Sequence, residues 1–268
     1  LRRQWPWILA IALVAAGGST IAITAALDRD DSATAKPAAA SAVPPGSPTP
    51  SLSAEPSSTP PPVRSPRRAP PPFPGYLLIA DRGNDRMLLV DGRKRVLWTY
   101  PKPGTTPEVP FNFDDDTFFG PGWDRIVSNQ EDQQTIQVIS FPGRKVLWGY
   151  GHINVKGSKP GFLHTPDDAY LLPNGNVMVA DVGNCRVLFI SPAGHVVRQI
   201  GTTGVCGHDP PRLLTAPNGD TPMPDGGVLV TEINGSWVDR IGPKGHLIKA
   251  FRAPVAYPSD AQWLGNGR

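Results

Sequence analysis

A unit of roughly 50 residues recurs along the C-terminal part of the chain, and it limits the possible folds more than any single motif does. In 166–201, PDDAYLLPNGNVMVADVGNCRVLFISPAGHVVRQIG, four short apolar runs at 169–172, 177–180, 186–190 and 195–200 alternate with turn residues. Runs of β-branched and aliphatic residues bounded by Asn-Gly or Pro-Ala-Gly mark hairpins, because those residues accept the positive φ of tight turns. A shift of 52 positions sets DDTFFGPGWDRIVSN (115–129) on DDAYLLPNGNVMVAD (167–181) without a gap. A shift of 51 brings in APNGDTPMPDGGVLVTE (216–232), a shift of 100 GYLLIADRGNDRMLLV (75–90), and a shift of 92 PSDAQWLGNGR (258–268). The last run of the unit repeats as RVLWTY, KVLWGY, HVVRQI and HLIKAF.

Four antiparallel strands repeated at this interval specify an all-β fold, a β-propeller of four-stranded antiparallel blades, since each small sheet hides its faces only against its neighbours. Helical repeats are excluded, because 75–268 has no stretch with a 3.6-residue apolar period. Blades are expected at about 75–101, 115–151, 166–201 and 216–252, with the first strand of another at 258–264. The first unit begins at its second strand. A four-bladed ring closed by 261–264 and a ring of about six blades with more chain are both open; the turn residues Gly265-Asn266-Gly267 favour the larger ring.

The N-terminal part has a different character. Residues 5–27, WPWILAIALVAAGGSTIAITAAL, carry no charge and are long enough for a membrane-spanning helix. Arg2 and Arg3 precede the run and Asp28, Asp30 and Asp31 follow it, which orients the rest of the chain outward. The run is longer than a signal-peptide core, so 1–27 is expected to be an uncleaved anchor rather than a cleaved signal. Residues 28–74 are rich in Pro, Ser and Ala, with Phe73 as the one aromatic, and read as a disordered tether. At ~3.1 Å per residue in polyproline II it reaches on the order of 100 Å.

Residues 1–75 hold seven Lys/Arg against four Asp/Glu, whereas the repeats carry 19 of each. A neutral repeat region lacks the basic surface that phosphate binding requires, so no nucleic-acid partner is expected. The two cysteines, Cys185 and Cys206, lie in the exported part, where a disulfide is the default. In a propeller, the loops joining strands two and three and the connections between blades emerge on one face. Cys185 and Cys206 fall there, one in each kind of loop, and a bridge would contribute roughly 3 kcal/mol in the chain-entropy model. The same face receives Asp81, Asn84, Arg86, Asp181, Asn184, Arg186, His152, His164 and His208, and is the expected ligand face.

Asp-x-Gly-Asn-x-Arg occurs at 81–86 and 181–186 and weakens to Asn129 and Glu232 in the other units. This pattern resembles NHL repeats, and the order of apolar run, Pro-rich tether and propeller is similar to the extracellular sensor half of certain bacterial Ser/Thr kinases. The resemblance implies a membrane-anchored, extracytoplasmic sensor or binding module for protein, peptide or glycan. The alternative it implies is a propeller enzyme, a metal-dependent lyase or an arylsulfotransferase-like protein. His152, His164 and His208 with Asp116, Asp168 and Asp260 would serve a metal, but the short-range spacing of a metal motif is missing. Trp98 and Trp148 give way to Arg198 and Lys249 in the later units, so a ring of Trp docking a cofactor is not built. With no phosphate loop and no nucleophile elbow, neither catalytic residues nor a cofactor are expected.

Overall fold

The computed structural model of the protein describes residues 73–265. The anchor expected at 1–27 and the tether up to residue 72 lie outside the described residues. Among the described residues no helix is long and apolar enough to cross a membrane.

The described chain is all-β, and its four antiparallel sheets follow one another in sequence. Blade 1 has three strands, β1 (Tyr76–Asp81), β2 (Arg86–Asp91) and β3 (Val96–Tyr100). Blade 2 holds β4 (Asp114–Phe119), β5 (Arg125–Gln130), β6 (Thr135–Ser140) and β7 (Val146–Gly151). Blade 3 holds β8 (Pro166–Leu171), β9 (Val177–Asp181), β10 (Arg186–Ile190) and β11 (Val196–Ile200). Blade 4 holds β12 (Pro217–Pro222), β13 (Val228–Glu232), β14 (Trp237–Ile241) and β15 (Leu247–Arg252). Each blade is a meander with consecutive strands paired. The propeller expected from the repeats is therefore the fold, with blade 1 starting at its second strand.

Apolar packing runs from blade to blade. One cluster joins Leu78, Met87 and Trp98 of blade 1 to Ile126 and Ile139 of blade 2. A second joins Phe118, Val127 and Ile136 to Val177, Val179 and Leu188, and a third joins Met178, Val187 and Phe189 to Val228, Val230 and Ile241. Strand β9 explains the alternation: Val177 and Val179 face blade 2 while Met178 faces blade 4, so a strand buried on both sides reads as an unbroken apolar run. Each interblade connection adds an anchor three residues before the inner strand, namely Phe111, Leu163 and Leu214, all buried.

Strand register corrects the sequence alignment at one point. Phe119 pairs with Ile126, whereas its counterpart Leu171 pairs with Val177, so the first turn of blade 2 is one residue longer than that of blade 3. Asp81, Gln130, Asp181 and Glu232 pair with Arg86, Thr135, Arg186 and Trp237 and are equivalent; a gapless shift had put Asn129 in that place. Asn129 instead donates from Nδ2 to the Pro166 carbonyl of the next inner strand at 3.2 Å. The strand expected at 258–264 is not formed, because a strand exists only by pairing and this segment has no partner strand among the described residues. It still docks at the inner edge of blade 4: Ser259 accepts from Thr231 Oγ1 at 2.8 Å and Asp260 from Thr221 Oγ1 at 2.9 Å.

Candidate functional site

The meander order puts the loops between second and third strands, and the connections between blades, at one end of every sheet. Each second-to-third loop closes on a left-handed residue, Asp85 (φ 51°), Gln134 (62°), Cys185 (55°) and Ser236 (61°). The connections enter the next inner strand through another, Phe113 (φ 53°), Thr165 (54°) and Ala216 (55°). Positive φ at non-glycine residues persists only where surrounding bonds over-determine it.

In blades 1 and 3 the Asp-x-Gly-Asn-x-Arg residues supply such bonds around the second-to-third loop. Asp81 accepts from Asn84 Nδ2 at 2.8 Å and from Arg86 Nε at 2.7 Å. Asp181 accepts from Asn184 Nδ2 at 2.8 Å, Arg186 Nε at 2.7 Å and the His164 backbone N–H at 2.7 Å. Burial pushes the Asp181 carboxyl up despite these bonds. Asn184 also donates to the Gly157 carbonyl at 2.8 Å, and Arg186 Nη1 reaches the Ser158 carbonyl at 3.1 Å and Thr203 Oγ1 at 2.9 Å. These six polar residues therefore lie at the loop end of their blades; Asp181, Asn184 and Arg186 clamp loops 152–165 and 201–216 to blade 3, whereas Asp81, Asn84 and Arg86 brace only their own loop in blade 1. The glycine of the motif has its own reason in blade 3, where a Cβ on Gly183 would stand 2.5 Å from the His164 ring. The Cys185–Cys206 disulfide is formed and ties the same two loop types together.

The three histidines are held separately. His152 packs on Phe162, with ring centroids 4.1 Å apart, and His164 lies over Gly183. His208 alone of the three brings its ring to carboxylates: Nδ1 is 2.9 Å from Glu232 Oε1 and 3.9 Å from Asp239 Oδ2. Trp237 stacks on the imidazole at 3.9 Å, almost parallel, and the Thr215 N–H donates to Glu232 Oε2. Burial first, and then the Glu232 carboxylate, push Asp239 up to about 8.

Inner strands β4, β8 and β12 each carry a bulge next to their first pair, and the doublets Asp115-Asp116, Asp167-Asp168 and Asn218-Gly219 occupy the bulges. The bulges gather acids along the axis. Asn218 Nδ2 donates to Asp167 Oδ2 between the adjacent blades 4 and 3, while Asp116 Oδ1, Asp168 Oδ2, Asn218 Oδ1 and both Asp220 oxygens are buried with no hydrogen-bond donor among the described residues. Burial raises Asp116 to about 7, with the Asp115 charge adding to it, and pushes Asp167, Asp168 and Asp220 well above the carboxylate range. Toward the loop face the acids become ionic: Arg82 bonds Asp115 at 2.5 Å, Glu131 at 2.8 Å and Asp132 at 3.0 Å. The Tyr257 hydroxyl senses the mouth, its pKa raised by burial and then by Asp167, Glu131 and Asp115.

On the same face the connections carry exposed apolar side chains: Phe113, Ile153, Val155, Val205, Val255 and Tyr257 are between 40 % and 52 % exposed. Among the described residues, three groups place ligand atoms within 4.8 Å of one another and have the donor chemistry for a cation, namely Asp115/Glu131/Asp167, Asp116/Asp167/Asp168 and His208/Glu232/Asp239. The first already holds Arg82. Sequence reasoning named Asp116, Asp168, Asp260 and His208 but missed Arg82, Asp115, Glu131, Asp167 and Asp239. The repeated Asp-Asp doublets were the available signal for the axis, and the Asp of WVDRI, standing where RVLFI has Leu188, was the signal for Asp239.

No protein-family model matches the chain, and no curated protein does. Solved structures do match. A protein of unknown function from Bacteroides caccae is 21% identical over 73% of this chain and 64% of that one, with a TM-score of 0.48. A catalytically inactive virginiamycin B lyase from Staphylococcus aureus with quinupristin is 18% identical over 68% of this chain and 53% of its own length, at 0.47. The WD40 β-propeller domain of Doa1 is 11% identical over 71% and 57%, at 0.48. The chain thus spans between 53% and 64% of these three structures.

Proposed function

We propose that the protein is a recognition module, an NHL-like propeller held outside the cell membrane by residues 1–27 and a Pro-rich tether, whose loop face binds a protein or peptide segment carrying a basic side chain. The uncharged 5–27 run, the tether composition and the disulfide support the exported, anchored placement. The observation that carries the ligand class is the apolar rim around an acidic mouth. Exposed apolar residues distributed over several rigidly braced loops offer the buried core of a peptide interface. One guanidinium, Arg82, faces the three carboxylates of Asp115, Glu131 and Asp132, which leaves the mouth negative and suited to a Lys or Arg. A glycan would use the carboxylates and could stack on Phe113 and Tyr257, but the aliphatic Ile153, Val155, Val205 and Val255 offer it nothing, so the rim favours peptide or protein.

Panning the purified chain against a random peptide library displayed on phage tests this. Enriched peptides are expected to share a Lys or Arg flanked by apolar residues, and a synthetic copy is expected to bind at least tenfold more weakly to Glu131→Gln and Ile153→Ser, with an affinity that falls as salt rises. Enrichment without a basic residue, or binding indifferent to both substitutions, overturns the reading. So does an empty selection.

A further inference from the structure

The His208, Glu232 and Asp239 cluster lies between blades 3 and 4, on strands away from the axis, and it has no part in the rim. In blade 4 Asp239 pairs with Val230, as Leu188 pairs with Val179 in blade 3, so an aspartate occupies the position of a fully buried core leucine. The Glu232 and Asp239 side chains are both wholly shielded from water, and among the described residues no N–H or hydroxyl group donates to either oxygen of Asp239. Two buried carboxylates side by side demand a compensating positive charge or a proton. His208 is the nearest basic group.

We propose that His208 Nδ1, Glu232 and Asp239 form a binding site for a divalent transition-metal ion of the zinc type, which pins the 201–216 connection to blade 4. One imidazole nitrogen and two carboxylate oxygens within 4.8 Å of one another are a donor set that zinc takes, with the fourth position left for water. The surroundings resemble an outer shell that fixes ligands. Trp237 holds the plane of the imidazole, the Thr215 N–H orients Glu232 through its other oxygen, and the disulfide at Cys206 anchors the loop two residues before His208. The His208 side chain is 22% exposed, which gives an ion a way in from the loop face. An all-oxygen site would suit calcium; the imidazole selects a softer ion.

The test uses the full chain, stripped by chelation and dialysed, then titrated with zinc and, separately, with manganese and calcium. Bound metal is measured by elemental analysis, and intrinsic tryptophan fluorescence, with Trp237→Phe as the control that assigns the change, and Tm are followed. One zinc per chain is expected, with a fluorescence change and a Tm rise of several degrees when zinc exceeds its Kd about a hundredfold. Asp239→Leu, which restores the blade 3 residue, and His208→Ala are each expected to bind no zinc and to lose the Tm response. Asp239→Asn serves in place of Asp239→Leu where the latter fails to fold, with the same expected loss. Zinc uptake only at millimolar concentration, a response to calcium but not zinc, or a zinc response retained in His208→Ala and in the Asp239 variants overturns the proposal.

Discussion

Arg186 donates from Nε to Asp181 Oδ2 at 2.7 Å with both side chains withdrawn from water, 7% and 0% exposed. Arg86 makes the same bond to Asp81 at the same 2.7 Å, but with 48% and 23% exposed. One motif thus occurs in two dielectric settings. Removing one partner of a buried pair leaves an uncompensated charge, at a cost of about 3–5 kcal/mol, whereas an exposed pair contributes about 0–1. Arg186→Met is expected to lower stability severalfold more than Arg86→Met, as read from denaturant midpoints. Equal losses would mean that the burial difference has no energetic weight.

Gly151 and Gly201 close the outer strands of blades 2 and 3 at φ 95° and 83°. A Cβ there would stand 2.0 Å from the Gln134 carbonyl oxygen or 2.4 Å from that of Cys185. Neither backbone oxygen can swing aside as a side chain would, and left-handed φ adds its own penalty of about 1–2 kcal/mol for a residue with a Cβ. Gly201→Ala is expected to cost more than ~2 kcal/mol, whereas Gly194→Ala, with nothing within 4 Å, is expected to cost only the conformational part.

The bridge between Cys185 and Cys206 spans 21 positions and, with Leu214, holds the third connection in place. Cys206→Ser is expected to lower unfolding free energy by roughly 3 kcal/mol through the larger unfolded ensemble. Leu214→Ala, fully buried, is expected to cost about 2–5 kcal/mol. Limited proteolysis should cut first within 201–216 in both variants; cleavage elsewhere would place the weakest connection in another loop.

The axial acids set a pH dependence. Asp116 titrates at about 7 in the folded protein, and Asp167, Asp168 and Asp220 lie well above the ordinary carboxylate range, burial being the leading cause in each. Unfolded aspartates titrate near ~3.9, so above that pH the folded state binds more protons than the unfolded. The contribution of these groups is complete below about pH 4 and fades as pH rises through about 7. Asp91, held low by the Arg95 N–H and guanidinium, acts in the opposite sense, but its contribution is lost only as pH falls through its own lowered value. Tm is expected to be several degrees higher at pH 5 than at pH 8, with a smaller difference in Asp116→Asn. A Tm that rises between these values would contradict the arrangement.

Blade positions between residues 75 and 252 and strand phase were readable because β-branched runs and Asn-Gly or Pro-x-Gly turns repeat at nearly constant spacing. The inner strands were not. DDDTFF, PDDAYL and PNGDTP open on residues that disfavour strands, Asp, Pro, Asn and Gly, and only pairing with the second strand extends the strand through them. The sequence reading therefore began the first strand of blade 3 at Ala169, past the Asp167-Asp168 bulge, and the axial doublets were not recognised as a set. Asn129 stood in for Gln130 because the extra residue of the Phe119–Ile126 turn is invisible to a gapless shift. The motif residues were legible as a pattern but not as braces, since Arg186 finds Ser158 28 positions away. His208 was placed on the right face, while Glu232, 24 positions on, and Asp239 were not connected with it.

The bulge beside the first pair of each inner strand also separates two design problems. Sheet pairing is carried by the residues on either side of it, so the doublet it releases toward the axis lies outside the ladder. Asp-Asp twice and Asn-Gly once already show the variety tolerated across three blades. The axial charge is therefore set by residues that take no part in strand pairing, except at Gly219, where a Cβ would stand 2.9 Å from the Ser259 carbonyl oxygen and glycine is required.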